Sequence, residues 1–375
     1  MFLNNMNILY ISKLDGRPWI GPTYSVFKQV KAQSKYDSVF WYNLCDEGLS
    51  AGQENLNEWR KLDYYSDLYD YPNGKIANLP EPFSYPDLVI VEQVYPFARN
   101  AIRKELTNGD VPYVIVPRGE LTNIAQSKKK LKKMIGNIIF LYHKFIKNAA
   151  AIHCLTKQES ENTSEKWNKK KLVLSNGIDI LDNIEKKFSS DCIRCVFIGR
   201  IEPFQKGLDL LIEACVNIKE KLIEYNCVIS IYGSNQENKL EIVKKTVLDN
   251  GLKQIINFYE PVYKEQKEKV LMNSDVFLMP SRFEGHPTGL LEALAYGLPS
   301  IVTTGSNMRE EIDKANAGWT AENTVESVKK AILKMLEEKN MFSLKSKNAR
   351  KLAQQYDWDA IAKRSHEEYI KLIKK

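Results

Sequence analysis

Short apolar runs rich in β-branched residues alternate with longer segments of helical period along most of the chain, and few folds accept that alternation. Strands are expected at 7–11, 38–41, 88–91, 113–116, 151–154 and 171–174, and a second series at 194–198, 228–232, 255–258, 276–279 and 300–303. Helical segments fill the intervals, among them 23–34, 98–107, 131–148, 207–224, 264–273, 289–297 and 325–338. This order points to parallel, doubly wound α/β sheets. The pattern breaks once, at NGIDILDNIEKKFSSD (176–191), which reads as a linker between two Rossmann-like domains.

Composition supports two cores. The chain has 375 residues, of which 43% are hydrophobic and 27% charged, enough apolar material for two domains. No apolar run approaches the ~18 to 20 residues that span a bilayer. The N-terminus lacks a basic region followed by a small-residue cleavage site, so no signal peptide is expected. Six cysteines in a chain of this length do not form a disulfide framework, and a reduced, cytoplasmic location follows.

The net charge of +7 is concentrated. Residues 120–171 hold 12 Lys/Arg against 4 Asp/Glu, whereas the rest is nearly neutral. A local anionic contact fits this distribution better than a broadly basic nucleic-acid surface.

The most specific motif is PSRFEGHPTGLLEALAYGLPSIVT, 280–303. A strand ends just before it, and a helix is expected from Thr288 or Gly289, with Thr288 as its N-cap. The amides of Gly289, Leu290 and Leu291 would then be unpaired, an arrangement that favours a phosphate or a polarised sugar oxygen. Glu284 opens the loop and Glu292 sits about one turn into the helix. Two carboxylates in one crevice suit a hydroxyl-rich ligand. A plain strand–loop–helix connection is the weaker alternative, because ligands of α/β sheets bind at the carboxyl ends of strands.

FIGRIEPFQKG, 197–207, is the second motif. Gly199 lets the chain approach a ligand closely, and Arg200 and Lys206 suit a diphosphate at the mouth of a strand; a solvated loop is the alternative. The N-terminal loop SKLDGRPWIGPTYSVFKQ places Gly16 and Gly21 in a turn before a helix. It lacks G-x-G-x-x-G, and the chain has no Walker A sequence, so dinucleotide dehydrogenases and P-loop hydrolases lose their fingerprints.

GR…KG followed by FEGHPTGLLEALAYGLP resembles the donor-binding signature of family 4 retaining glycosyltransferases, which have the GT-B fold. VPRGEL (116–121), SNGID (175–179) and YGS (232–234) fall in the expected order. The resemblance implies residues 1–180 as the acceptor-side domain, 190–350 as the donor domain, and a C-terminal helix (about 357–375) crossing back to the first. It implies a nucleotide-sugar donor, most simply a UDP-sugar, no metal, and a glycan or lipid-linked acceptor in bacterial envelope synthesis. Arg200 and Lys206 would hold the diphosphate and Glu284 the donor sugar. Backbone amides from Gly285 and His286 through Thr288 and Gly289 to Leu290 would assist. Glu292 would bind the ribose, Tyr259 the base through its backbone, and Gly233 would line the site. Gly21 would approach the phosphates from the other domain. Where many relatives carry a histidine, this chain has Arg118, expected as a sugar, phosphate or acceptor contact, or else as a structural ion pair. A nucleotide-sugar epimerase and a non-catalytic sugar-nucleotide-binding protein are the competing functions.

Weaker signals have plainer explanations. Asp357-Trp358-Asp359 imitates a metal-binding D-x-D, yet it opens a helix. Cys192 and Cys195 have no partner pair and read as strand or core cysteines. In 127–148, Lys128, Lys129, Lys130, Lys132 and Lys133 precede an apolar helical stripe. They suit docking to an anionic membrane, peripherally on the inner face of the cytoplasmic membrane, or a helix that covers the first sheet with its lysines in water. No aromatics interleave with them, so nucleic acid is not expected.

Overall fold

A computed structural model describes residues 5–12, 21–43, 75–95, 101–127, 142–181, 184–188, 191–235 and 239–374. The contacts divide the chain into two units, Met1–Gly177 with Trp358–Lys375, and Ile178–Asp357.

The first unit holds β1 (Asn7–Ser12), β2 (Ser38–Asn43), β3 (Leu88–Glu92), β4 (Tyr113–Val116), β5 (Ala151–Cys154) and β6 (Lys171–Val173). They form one sheet in the order β2-β1-β3-β4-β5-β6, with every described pairing parallel. Successive residues of β1 show why this sheet is covered on both faces. Leu9 and Ile11 enter one apolar cluster, with Val89, Val91 and Ile115, whereas Ile8 and Tyr10 enter another, with Leu88, Ile90 and Val114. A strand apolar at every position belongs in the middle of such a sheet.

The second unit holds β7 (Ile193–Ile198), β8 (Cys227–Tyr232), β9 (Ile256–Tyr259), β10 (Val276–Met279), β11 (Ser300–Thr303) and β12 (Gly318–Ala321). Their order is β12-β11-β10-β7-β8-β9, again parallel throughout. Numbered within the unit, this is the 3-2-1-4-5-6 order of the dinucleotide-binding Rossmann sheet, whose direction of winding reverses between β7 and β10. The loops leaving those two strands are therefore the place where a ligand is best received.

The edge strand β12 was not expected from the sequence. It is short and begins with Gly318, where a Cβ would lie 1.9 Å from the Ser300 carbonyl oxygen, so only glycine brings the strand against β11. The helix Phe342–Ala353 is another element beyond the expected set.

The helix Trp358–Ile373 packs in the first unit against the helix Gly21–Gln33. Trp358 joins Ala32 and Ala362, and Lys35 forms a 2.8 Å ion pair with Asp359. Asp359 of the D-x-D sequence is thus engaged in tethering this helix. Deeper in, His366 Nδ1 lies 2.9 Å from Asp37, both fully buried, and Tyr369 is hydrogen-bonded to His153 at 3.1 Å. Among the described residues no helix is long and apolar enough to cross a membrane. The lysine cluster 128–133 lies outside the described residues.

Candidate active site

Three loops meet at the reversal point of the second sheet. The segment 199–207 leaves β7, 280–287 leaves β10, and Gly233 follows β8. Two close approaches hold them together. At Gly207, which has φ 65°, a Cβ would lie 1.8 Å from the Pro280 carbonyl oxygen. At Gly233 a Cβ would lie 2.0 Å from the Gly199 carbonyl oxygen. Hydrogen bonds then zip the first two loops: the Arg282 amide donates to the Gln205 carbonyl at 2.9 Å, and the Arg282 guanidinium to the Phe204 carbonyl at 2.7 Å. The same guanidinium lies over the Phe204 ring, 4.4 Å from its centroid, and pairs with Asp209 at 2.7 Å.

This frame carries the central pair. Lys206 Nζ lies 2.7 Å from Glu284 Oε1, and both side chains are largely buried, at 14% and 10% exposure. Ser281 Oγ donates to the same carboxylate oxygen at 2.6 Å. Arg200 is exposed at the end of β7 and makes no ion pair with any described residue. Gly199 donates its amide to the Tyr232 carbonyl at 3.0 Å.

Glu292 lies one turn into the helix Thr288–Ala295, and its carboxylate is paired with Lys267, from the helix Lys264–Asn273. The two glutamates therefore engage different lysines. Beside Glu292, burial pushes the Tyr296 hydroxyl up to about 12, with Glu268 and Glu292 adding to the shift, so it is a hydrogen-bond donor at neutral pH. Tyr259 is half exposed and stacks on Tyr232 with ring centroids 4.8 Å apart, while its carbonyl accepts the Gly233 amide at 3.3 Å.

One expectation is corrected. Pro287, not Thr288, occupies the N-cap position of the helix Thr288–Ala295. The Pro287 carbonyl accepts from Leu290 at 2.9 Å and from Leu291 at 3.2 Å. Proline is suited to a helix start because its ring fixes φ and its missing N–H would be idle there. Leu290 has a core side chain and a satisfied amide, and in this first turn the amides of Thr288 and Gly289 have no backbone acceptor among the described residues. His286 precedes this cap with its ring 5.6 Å from that of Tyr356.

Arg118 belongs to the first unit. It follows β4 with φ 49°, and its Nε donates to Glu92 at 2.7 Å in a pair that is 6% and 1% exposed. Nη1 lies 3.1 Å from Ser25 Oγ and 3.5 Å from Asn176 Oδ1, whereas the buried Nη2 has no hydrogen-bond partner among the described residues. Glu159 supports this turn by accepting the Gly119 amide and, at 2.7 Å, the Leu155 amide. Gly21 is the first residue of the helix Gly21–Gln33, and the loop before it, 13–20, lies outside the described residues. Among the described residues no three His, Cys, Asp or Glu side chains are grouped to hold a metal. Cys195 is a core residue of β7, with its sulfur 3.8 Å from that of Cys227.

The family model for glycosyl transferases group 1 matches residues 182–355, nearly the whole second unit. Through this unit the chain is similar to glycosyl transferases group 1. Among curated relatives, the amylovoran biosynthesis glycosyltransferase AmsK of Erwinia amylovora is 29% identical over 135 residues, 34% of this chain and 32% of that protein. The chain matches less than half the length of the curated relatives, between 28% and 47%. Solved structures share the GT-B fold over the full length. Sucrose-phosphate synthase of Thermosynechococcus elongatus has a TM-score of 0.73 at 14% identity, covering 98% of this chain and 99% of the other. Anabaena HepE, solved in complex with UDP and glucose, has a TM-score of 0.68 at 16% identity, covering 98% and 100%.

Sequence reasoning passed over four residues that build this candidate site: Ser281, Arg282, Lys267 and Asn307. Ser281 and Arg282 lie inside the quoted motif, where their contacts depend on loops distant in sequence. Lys267 and Asn307 lie outside it, and only the fold brings them to the site.

Proposed function

We propose that this protein is a retaining glycosyltransferase that moves a sugar from a UDP-sugar to a hydroxyl of a glycan or lipid-linked acceptor in cell-envelope polysaccharide synthesis. The observation that carries this reading is the Lys206–Glu284 pair at the reversal point of a Rossmann-ordered sheet. It offers a cation for a diphosphate and a carboxylate for sugar hydroxyls within one side-chain contact. The UDP and glucose of HepE and the amylovoran assignment of AmsK support the choice of donor and pathway class.

As the anomeric bond breaks, negative charge collects on the leaving diphosphate. Lys206, Arg200 and the Thr288 and Gly289 amides would stabilise that charge, and preorganised donors do so without reorganising during the reaction. Glu284 would orient the donor sugar and Glu292 the ribose. The departing phosphate oxygen would take the acceptor proton, so no separate basic side chain is required. In this reading the second unit binds the donor. The first serves the acceptor, with Arg118 Nη2 contacting sugar or acceptor. Lys128, Lys129, Lys130, Lys132 and Lys133 would bring the protein to anionic lipid on the inner face of the cytoplasmic membrane.

Incubating the purified protein with a panel of UDP-sugars, with and without lipid-linked acceptor, tests the reading by mass spectrometry. A glycosylated acceptor with release of UDP is expected. Donor conversion without acceptor would assign an epimerase instead, and binding without turnover a sugar-nucleotide-binding protein.

A further inference from the structure

The loop after β10 has its carbonyls held by side chains from the end of β11 and from the segments that follow β11 and β12. Thr303 Oγ1 donates to the Ser281 carbonyl at 2.6 Å, and Asn323 Nδ2 to the Arg282 carbonyl at 3.4 Å. Asn307 Nδ2 donates to the carbonyls of both Glu284 and Gly285, the second at 2.9 Å. Gly305 makes the approach feasible, since a Cβ there would lie 2.1 Å from the Arg282 carbonyl oxygen and 2.4 Å from that of Ser281.

In a trans peptide the N–H points opposite to the C=O. Drawing the Glu284 and Gly285 carbonyls toward Asn307 therefore turns the amides of Gly285 and His286 away from it. An amide side chain has two N–H donors, one for each carbonyl. Asn307 also has φ 62°, a left-handed backbone that asparagine tolerates better than most residues. Side-chain chemistry and backbone conformation thus select the same residue.

We propose that Asn307 is a positioning residue that fixes the two peptides after Glu284, so that the Gly285 and His286 amides meet the diphosphate of the donor. This rests on the donor reading above. Asn307 itself touches no substrate and acts only through the peptides that it orients.

Asn307→Asp keeps size and backbone preference but sets a carboxylate oxygen against two carbonyls. Asn307→Gly keeps the left-handed backbone and removes both donors. Calorimetry with UDP and with uridine, beside Lys206→Ala as a reference, separates the possibilities, and melting temperatures and a crystal structure of each variant report the fold and the peptide orientation. Both Asn307 variants are expected to lose at least about tenfold in UDP affinity, in line with hydrogen bonds to a charged group, while uridine affinity stays within twofold or so. The 284–285 peptide is expected to rotate in a chain that still melts cooperatively. Unchanged UDP affinity in Asn307→Asp, or equal losses for UDP and uridine, overturns the inference. If Lys206→Ala still weakens UDP in that case, the donor reading stands. A wild-type protein that binds none of UDP, GDP and ADP overturns the donor reading and this inference together.

Discussion

Lys206 and Glu284 close a 2.7 Å ion pair that joins the loops of two hydrogen-bonded neighbour strands, β7 and β10, although 78 residues separate them in sequence. Removing either partner strands the other in a largely buried setting, which costs more than the pair itself contributes. Lys206→Ala and Glu284→Ala are each expected to lower kcat/KM by at least about 100-fold, or ~2.7 kcal/mol of transition-state stabilisation. The double variant should fall well short of the product of the two losses, because the residues act as a unit. Steady-state kinetics on the four proteins measure this. Near-normal turnover in both folded single variants would remove the pair from the mechanism.

Gly207 is where a side chain does most harm to the frame without touching a reacting group. A methyl there meets the Pro280 carbonyl oxygen at 1.8 Å and forces a left-handed φ on an ordinary residue. Gly207→Ala should destabilise the second unit by about 2 kcal/mol or more. Urea unfolding provides the measurement, and a loss under about 0.5 kcal/mol would show that the two loops are not in fixed contact.

The fold was legible because buried parallel strands announce themselves. β1, β3, β4 and β10 each carry a continuous run of four apolar residues that is buried on both faces of a parallel sheet. β12 was not legible, since its four residues, Gly-Trp-Thr-Ala, begin with glycine and contain no apolar run. In the candidate site, local chemistry singled out Lys206 and Glu284, in glycine-punctuated loops after strands, and Glu292, one turn into the helix that follows. It could not find Lys267 or Asn307, whose partners lie 25 and 22 to 23 residues away. Nor could it assign the Pro287 cap, because both proline and threonine are plausible at a helix start.

The lysine cluster yields a test that does not depend on the donor site. Basic residues beside an apolar helical stripe gain about 1 kcal/mol each near an anionic surface, and the effect is screened by salt. Flotation with vesicles containing anionic lipid should therefore recover the wild type at low salt. It should not recover a variant with Lys128, Lys129, Lys130, Lys132 and Lys133 changed to Gln. Equal recovery of the two proteins would dismiss the membrane contact.

His153 makes the first unit sensitive to acid. The Leu174 carbonyl, 2.7 Å from Nε2, can only accept, so that nitrogen carries the hydrogen, and the Tyr369 hydroxyl donates to Nδ1 at 3.1 Å. The ring is thereby neutral with both nitrogens satisfied. Burial is the main cause that pushes its pKa from 6.5 down to about 4, against the opposing Leu174 hydrogen bond and with a small further push from Arg118. Between those two values the unfolded chain holds the extra proton, so stability rises with pH across the window. It is fully present above about pH 6.5 and is lost as pH falls toward 4, by a margin on the order of 3 kcal/mol. Hydrogen exchange of peptides that contain β5, compared between pH 7 and 4.5, should show opening free energy falling more steeply in wild type than in His153→Gln. Parallel falls in the two proteins would assign the acid sensitivity to other groups. Tyr369→Phe provides the complementary check, because it leaves Nδ1 buried without a donor. It should cost about 1 to 3 kcal/mol already at pH 7.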